Sequence, residues 1–311
     1  MNLLVTGAWQ DAKDHIGELE ALGHKVKFMQ QEREELPCDP AWVEGAVCNG
    51  LFLYHPIGEF ANLRFIQLTS AGFDRVDMEV VRARGIEIHN ARGVYSVPMA
   101  EFAVAGVLQL YKESRFFAEN QTAHRWEKHR GLMELSGRTV TIVGCGSVGT
   151  ECAKRFSAFG CRVLGVDVFP RDDGAFEEML PLQRLDETIE KTDVLVLTVP
   201  LTPETERLID RGRLGLLPET AVVVNISRGK VLDQTTLCEM LEAGRLKGAV
   251  LDVFDEEPLP ADDPLWDAPN LILTPHNSFV GDGNGERLAK VIYESLSEGI
   301  RRGSHAFTQL D

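Results

Sequence analysis

The feature that most constrains the fold is a glycine-rich stretch near the middle of the chain. Residues 143–149 read VGCGSVG, with Gly144, Gly146 and Gly149 in a G-x-G-x-x-G pattern between the apolar run TVTIV and the helix-like segment TECAKRFSAFG. The first two glycines permit a tight turn and close approach of a ligand, and the third lets the helix pack on the strand. This order of strand, loop and helix predicts the first turn of a doubly wound sheet, where a helix N-terminus binds a pyrophosphate.

The next strand adds an acidic residue that completes a dinucleotide-binding signature. Asp167 ends the apolar run RVLGVD, and its carboxylate can accept both ribose hydroxyls of NAD while repelling the additional phosphate of NADP. Arg171 keeps NADP open as an alternative, because a guanidinium can compensate that phosphate. The other interpretation of Arg171 is a solvated loop residue with no role in cofactor binding. We predict NAD as the cofactor, bound by the loop, the helix start and the acid: Gly144, Gly146, Ser147, Val148, Gly149 and Asp167.

The late position of the glycine loop determines the predicted domain organisation. From residue 139 onward there are six strand candidates, TVTIVG, CRVLGVD, DVLVLTVP, AVVVNIS, GAVLDVF and NLILTPH, which match the strand count of a complete dinucleotide-binding sheet. Further strand candidates precede the loop, at residues 3–5, 26–29, 51–53, 65–68 and 86–88. Both alternations of strand and helix predict parallel sheets. We therefore predict an α/β fold in which a nucleotide-binding domain is inserted into a domain built from both ends of the chain.

Two helices outside these alternations are also predicted. Residues 96–121 begin with Ser, Pro and Glu, typical of a helix start, and continue with small and apolar residues at helical spacing. They predict one long, largely buried helix. Residues 286–302, followed by Gly303, predict a last helix with a glycine at its end.

Composition limits the partners of the chain. Its 32 basic and 48 acidic side chains give a net charge of −16, which repels nucleic acids and anionic membranes and favours a small-molecule ligand. The N-terminus lacks a signal-peptide pattern and no long apolar stretch occurs, so a cytoplasmic location is expected. Six cysteines without a Cys-x-x-Cys spacing predict reduced thiols and no metal site.

Three polar residues follow the ends of apolar strand candidates, where open α/β sheets bind their ligands: Arg228, Glu257 and His276. Each alone fits a structural role, as a surface ion pair, an acid near a helix start or a histidine in a turn. Together with an NAD site they indicate hydride transfer at a carbon beside a carboxylate. His276 would exchange the hydroxyl proton, Glu257 would favour its imidazolium form, and the planar fork of Arg228 would bind the carboxylate.

Several longer stretches resemble one family. NISRGKVLDQTTL, GAVLDVFDEEPLP, PLW and NLILTPH, following VGCGSVG, are similar to the D-isomer-specific 2-hydroxyacid dehydrogenases. LTSAGFDRVD, residues 68–77, resembles the family's substrate loop, and MAEFAV resembles its interdomain helix. The resemblance implies NAD(H)-dependent, reversible reduction of a small 2-oxo acid to the D-2-hydroxy acid, with Arg228, Glu257 and His276 as the catalytic residues.

The resemblance also implies domains, an assembly and further site residues. A flavodoxin-like substrate domain, residues 1–97 and 282–311, would surround the NAD-binding Rossmann domain, residues 98–281, and FFAENQTAHRWEKHRG would be the arm of a homodimer. The implied substrate-binding residues are Ser70, Ala71, Gly72, Arg228, His276 and Tyr54. The implied cofactor-binding residues beyond the glycine loop are Val199, Pro200, Thr205, Ile226, Ser227 and Asp252, the last against the nicotinamide carboxamide.

The sequence departs from some relatives around Tyr54. The stretch LFLYHPIGEF lacks the arginine with which phosphoglycerate dehydrogenases hold a second anionic group, which disfavours a phosphorylated or dicarboxylate substrate. Two other functions remain open at this point. One is an NAD(H)-sensing, corepressor-like binding protein, and the other is a hydride transfer of the formate or phosphite dehydrogenase type.

Overall fold

The computed structural model describes residues 1–301, with side chains through residue 297. These residues form two compact units: a central unit, Ser96–Val280, and an outer unit formed by Met1–Tyr95 and the chain from Gly281 onward. Each unit contains one wholly parallel sheet. The predicted α/β fold with two doubly wound parallel sheets is thereby confirmed.

The outer unit contains a five-stranded sheet in the flavodoxin-like order β2-β1-β3-β4-β5. Its strands are β1 (Asn2–Thr6), β2 (Lys25–Met29), β3 (Gly45–Cys48), β4 (Phe65–Leu68) and β5 (Glu87–His89), and its helices are α1 (Ala12–Ala21), α2 (Met78–Arg84) and α9 (Asn284–Arg301). Successive residues of β1 pack on opposite faces of the sheet. Leu3 and Val5 join a cluster with Ile292 of α9, whereas Leu4 packs in a second cluster with Ile66. Both faces of this sheet are therefore covered.

The predicted strand at residues 51–53 is wrong. Leu51–Leu53 form a 3-10 helix, and the strand is the preceding β3, whose four residues are all buried. β3 pairs with β1 on one side and β4 on the other. Its first residue is a glycine at a position where a Cβ would lie 3.1 Å from side-chain atoms of Leu3 and Met1. The strand GAVC is therefore less apolar than the run LFL that follows it. Ranking strand candidates by apolar side chains selected the wrong segment.

The central unit contains a seven-stranded sheet in the order β12-β11-β10-β9-β6-β7-β8. Its strands are β6 (Thr139–Val143), β7 (Arg162–Asp167), β8 (Glu178–Pro181), β9 (Val194–Leu197), β10 (Val222–Asn225), β11 (Gly248–Leu251) and β12 (Leu271–Leu273). The six predicted strands are present. β8 was missed because EMLP, at the sheet edge beside β7, carries an acid and a proline and has no apolar run. The remaining helices are α3 (Ser96–Tyr111), α4 (Ser114–Thr122), α5 (Ser147–Ala158), α6 (Leu185–Ile189), α7 (Arg211–Leu216) and α8 (Gln234–Glu242).

The single helix predicted for residues 96–121 is also wrong, because it is two helices, α3 and α4. Glu113 between them has a φ of 51°, in the left-handed region that ends a helix. Its carboxylate accepts a hydrogen bond of 2.6 Å from Lys247 Nζ, which fixes the turn. The last helix, α9, begins at Asn284 and is described through Arg301; the predicted end at Arg302 and Gly303 lies outside the described residues.

Some general properties of the described residues bear on function. All six cysteines are free thiols. Within residues 1–297, no group of three or more His, Cys, Asp and Glu side chains is arranged to hold a metal ion. No helix in the described part of the chain has the combination of length and apolar character that a bilayer crossing requires.

Candidate active site

The glycine loop lies at the switch point of the central sheet, between β6 and β9. Gly144 has a φ of +95°, and a Cβ there would lie 2.8 Å from the backbone nitrogen of Val199. A Cβ at Gly149 would overlap the carbonyl oxygen of Gly144, so the third glycine lets α5 pack on the loop. A Cβ at Gly146 would instead project into open space. That space lies beside the first amides of α5, which have no carbonyl to bond within the helix, and the loop therefore fits a pyrophosphate.

The peptide groups of Cys145, in the middle of the loop, are held from both sides. Asp167 Oδ2 accepts a 2.6 Å hydrogen bond from the amide of Cys145, and its Oδ1 accepts one of 3.0 Å from the amide of Phe169. Arg171 Nη2 donates to the carbonyl of Cys145 at 2.6 Å and to Asp173 Oδ2 at 3.2 Å. The acid and the arginine singled out in the sequence therefore both contact the phosphate-binding loop itself.

The loop after β9 carries three predicted cofactor residues. Val199 packs against Gly144, and Thr205 Oγ1 donates a 2.6 Å hydrogen bond to the carbonyl of Pro200. The same hydroxyl accepts a 2.7 Å hydrogen bond from the amide of Thr202. The hydroxyl of Thr205 thus closes this loop on itself, and Val199 is the member that touches the glycine loop.

The loop after β10 presents Arg228. Asn225, fully buried, accepts hydrogen bonds from the amide and hydroxyl of Ser227 at 3.1 and 2.8 Å, and donates to the carbonyl of Arg228 at 3.0 Å. Ile226 and Ser227 are buried, whereas the Arg228 side chain is exposed. A Cβ at Gly229 would overlap the backbone of Phe254. The loop after β10 and the loop after β11 therefore approach each other as closely as a glycine allows.

His276 and Glu257 form a hydrogen-bonded pair. His276 Nδ1 lies 2.8 Å from Glu257 Oε2, and the other carboxylate oxygen accepts a 3.0 Å hydrogen bond from the amide of Phe254. Since a carboxylate only accepts hydrogen bonds, it places a proton on Nδ1. The His276 side chain is 42% exposed, so its Nε2 is the nitrogen left for a ligand. The pair can therefore exchange a proton with a ligand at Nε2 while the carboxylate fixes the orientation of the ring.

Asp252 organises the loop that carries His276. Its fully buried carboxylate accepts hydrogen bonds from the Thr274 hydroxyl at 2.6 Å and from the amides of Asn277 and Ser278 at 2.7 and 2.9 Å. Its carbonyl accepts a 2.8 Å bond from the amide of His276, whose φ of 50° belongs to this tight loop. The predicted contact of Asp252 with nicotinamide stays a prediction, whereas its hold on the histidine loop is directly visible.

The predicted substrate loop belongs to the outer unit and follows β4. The carbonyls of Ser70, Ala71 and Gly72 accept hydrogen bonds from the Ala91 amide, the Asn90 side chain and the Ser70 hydroxyl, at 2.9, 2.6 and 3.0 Å. No hydrogen bond within the described residues uses their own amides as donors. Because the three carbonyls already accept hydrogen bonds from other groups, the amides of residues 70–72 form a group of donors suited to an anion. Tyr54, after β3, is exposed.

Sequence reasoning missed two residues that shape the site. Asn225 fixes the loop that carries Arg228. Gln234 connects this loop to the one that carries Glu257, because its side chain donates a 3.0 Å hydrogen bond to the Val253 carbonyl and accepts one of 3.2 Å from the Asp255 amide. The available signal for Asn225 was an amide side chain at the end of an apolar strand, where a buried polar group needs partners. Gln234 gave no such signal, because a glutamine at a helix start is usually exposed.

The strand order, glycine loop and acid after the second strand define the central unit as a dinucleotide-binding domain of the Rossmann class. Residues 104–278 match the family model described as "D-isomer specific 2-hydroxyacid dehydrogenase, NAD binding domain". The chain belongs to the D-isomer-specific 2-hydroxyacid dehydrogenase family of oxidoreductases, and NAD is the cofactor of its central unit. The family, enzyme class and cofactor predicted from the sequence are confirmed.

Relatives with assigned activities cover most of the chain. The glyoxylate reductase of Korarchaeum cryptofilum is 36% identical over 242 residues, 75% of this chain and 72% of the relative. The (S)-sulfolactate dehydrogenase of Chromohalobacter salexigens is 31% identical over 247 residues, 78% of this chain and 80% of the relative. A D-isomer specific 2-hydroxyacid dehydrogenase family protein from Aeromonas salmonicida has a similar crystal structure, with a TM-score of 0.81 and 28% identity over 99% of this chain and 98% of that chain. Because the two enzyme names specify different substrates, the substrate has to be argued from this chain's own residues.

Proposed function

We propose that the protein reversibly reduces a small 2-oxo acid to the D-2-hydroxy acid, with His276 as the proton donor. The observation that carries this proposal is the hydrogen bond of 2.8 Å between His276 Nδ1 and Glu257 Oε2. It joins an acid/base group to a carboxylate that stabilises its protonated form, and the buried Asp252 holds the loop that carries His276. NADH, when bound, supplies the hydride that forms the new C–H bond at the carbonyl carbon.

The protein groups have separate tasks in this reaction. The imidazolium of His276 gives its Nε2 proton to the carbonyl oxygen as that oxygen gains charge, and Glu257 offsets the positive charge of the ring beforehand. The guanidinium of Arg228 takes the substrate carboxylate in a bidentate pair. In the outer unit, the amides of residues 70–72 are also suited to a carboxylate. In the reverse direction neutral His276 removes the hydroxyl proton. One 2-oxo acid, one NADH and one proton give one hydroxy acid and one NAD⁺.

The surroundings of Asp167 support NAD over NADP. Arg171, the cation that could compensate an additional phosphate, is already bonded to the Cys145 carbonyl and to Asp173. A depression of about 320 Å³ beside it is also lined by Asp172, Glu177 and Glu178. A phosphate placed here would face four carboxylates, and the arginines beside them, Arg162, Arg171 and Arg184, each already pair with one of these carboxylates. Binding the phosphate would therefore cost free energy.

A homodimer formed through the arm at residues 116–131 is also part of the proposal. Phe117 and Trp126 are large apolar side chains in this segment, and Trp126 is 96% exposed. Aromatic groups exposed to this degree are typical of an interface. Light scattering on the purified protein should give twice the mass of 34.5 kDa, and Trp126→Ser should shift it toward the monomer. A monomeric parent protein would exclude this assembly.

A substrate panel tests the reaction. NADH absorbance is followed with glyoxylate, hydroxypyruvate, pyruvate and branched or aromatic 2-oxo acids, and the lactate formed from pyruvate is resolved into its enantiomers. We expect turnover with at least one small 2-oxo acid and D-lactate as the product. Oxidation of formate or phosphite in place of any 2-oxo acid reduction would contradict the proposal. So would NADH-dependent assembly without consumption of NADH, as expected of a corepressor-like protein.

A further inference from the structure

One carboxylate of the outer unit occupies a group of backbone amides outside the proposed reaction centre. Glu32 Oε1 accepts hydrogen bonds from the amide of Asn49 at 2.7 Å and from the hydroxyl of Thr6 at 2.8 Å. Its Oε2 accepts a 2.6 Å hydrogen bond from the amide of Gly50. Two successive amides and a hydroxyl converging on one carboxylate form an anion-binding site, and the protein's own side chain fills it.

This site lies where a flavodoxin-like sheet binds ligands. In the order β2-β1-β3-β4-β5 the chain reverses direction of winding between β1 and β3, and ligands bind outside the carboxyl ends of the strands at that switch point. Thr6 is the last residue of β1, and Asn49 and Gly50 directly follow β3. Glu32, which comes after β2, therefore reaches across the end of β1 to the end of β3.

The proposed substrate loop is one strand away. β4 pairs with β3 in parallel register, with Cys48 opposite Leu68, and the amide of Thr69 donates a 2.9 Å hydrogen bond to the Cys48 carbonyl. Residues 70–72 therefore begin just beyond this pairing, at the same edge of the sheet as Asn49 and Gly50. Neighbouring strands are about 4.8 Å apart. The short side group of a substrate whose carboxylate binds the 70–72 amides spans a similar distance.

We propose that Glu32 is a specificity-determining residue: it fills the anion site beside the substrate loop and so selects 2-oxo acids whose side group carries no negative charge. The inference rests on the proposed function and identifies its substrate class. A substrate with a second carboxylate, phosphate or sulfonate would have to displace Glu32 or lie against it, and the juxtaposition of like charges disfavours binding. An uncharged side group meets no such penalty.

A basic side chain also lies close to Gly50. A Cβ at Gly50 would lie 3.4 Å from Glu32 Oε2 and 3.7 Å from Cδ of Arg75, an exposed residue of the substrate loop. No ion pair within 4.0 Å joins Glu32 to an Arg or Lys among the described side chains. Removing the charge of Glu32 therefore leaves two amides and a hydroxyl that are suited to an anion, with the Arg75 side chain close to Gly50.

The test compares two 2-oxo acids of similar shape, oxaloacetate with a charged side group and 4-methyl-2-oxopentanoate with an apolar one. Glu32→Gln keeps the shape of the side chain and removes its charge. We expect kcat/KM for oxaloacetate, relative to 4-methyl-2-oxopentanoate, to rise at least roughly tenfold in Glu32→Gln. Glu35→Gln, which removes an exposed carboxylate on the same loop, should leave the ratio unchanged. An equal ratio in the parent and Glu32→Gln would overturn the proposal.

A second measurement is independent of turnover. Glu32→Ala vacates the amides, so inorganic phosphate should raise its thermal unfolding midpoint more than it raises those of the parent and Glu35→Gln. A phosphate response equal in all three proteins would overturn the proposal even if the enzyme is active. If the parent reduces no 2-oxo acid but Glu32→Ala gains the phosphate response, the proposed function fails while the anion site stands.

Discussion

At the scale of single residues, the hydrogen bond of His276 depends on how the Glu257 carboxylate is oriented. One carboxylate oxygen of Glu257 is bonded to the Phe254 amide, which leaves the other oxygen facing the imidazole. The sequence singles out His276, Glu257 and Arg228 because each follows an apolar strand, and their catalytic roles stay predictions. It was insufficient to show which oxygen or which ring nitrogen forms the pair, because that depends on a backbone amide brought in by loop folding.

Glu257→Gln tests the electrostatic part of this pair. The amide can still accept from Phe254, but it no longer offsets the charge of the imidazolium, so kcat should fall by about one to two orders of magnitude. The dissociation constant for NADH, measured by fluorescence titration, should stay within about twofold because Glu257 is not a predicted cofactor contact. An unchanged kcat would show that the carboxylate has no part in proton transfer.

Arg171 is the residue for which the sequence left two roles open. Its bond to the Cys145 carbonyl predicts that Arg171→Met loosens the phosphate loop and raises KM for NADH several-fold with little change in kcat at saturating NADH. Arg184→Met, which removes an exposed arginine paired with Glu187, is the matched control. A selective loss of NADPH use, with an unchanged KM for NADH, would instead indicate that Arg171 serves a cofactor phosphate.

At the scale of elements, the loops after β10, β11 and β12 carry the three proposed catalytic residues, and buried polar side chains determine the shapes of these loops. The sequence predicted these three strands because their apolar runs are continuous, as buried parallel strands require. It misplaced β3 and missed β8, where small residues or an edge position weaken the apolar signal. The break between α3 and α4 at Glu113 depends on a distant lysine, Lys247, which no local pattern reveals.

Asp252→Asn tests how a buried side chain shapes one of these loops. The carboxylate accepts three hydrogen bonds, and an amide in its place turns a donor toward the amide of Ser278 or of Asn277. The free energy of unfolding should fall by about 1–3 kcal/mol, as measured by urea denaturation, and kcat should fall because His276 loses its fixed position. A variant with parental stability and parental kcat would show that Asp252 does not hold the loop.

At the scale of the whole molecule, burial keeps the thiols protonated. It raises the pKa of Cys145 and Cys152 to about 12 and that of Cys161 to about 11. In the unfolded chain a thiol loses its proton at about pH 8.5. The native state therefore binds more protons above that pH, so this contribution to stability is complete below about pH 8.5 and is lost as the pH rises toward about 11–12.

The corresponding measurements are thermal unfolding and thiol titration. The unfolding midpoint should decrease as the pH rises from about 8 to about 10. In the native protein at about pH 8, a disulfide reagent should react slowly with the four buried thiols, Cys48, Cys145, Cys152 and Cys238. After denaturation it should react rapidly with all six thiols. Rapid reaction of all six in the native protein would contradict the burial described.

The measurement that tests the central claim most directly is single-turnover oxidation of NADH by His276→Ala, with NADH affinity determined on the same preparation. If His276 delivers the proton, the rate with the best 2-oxo acid should fall by about 10²–10⁴-fold, while NADH binds as tightly as it does to the parent. A variant that binds NADH normally and reduces the 2-oxo acid at close to the parental rate would contradict the account.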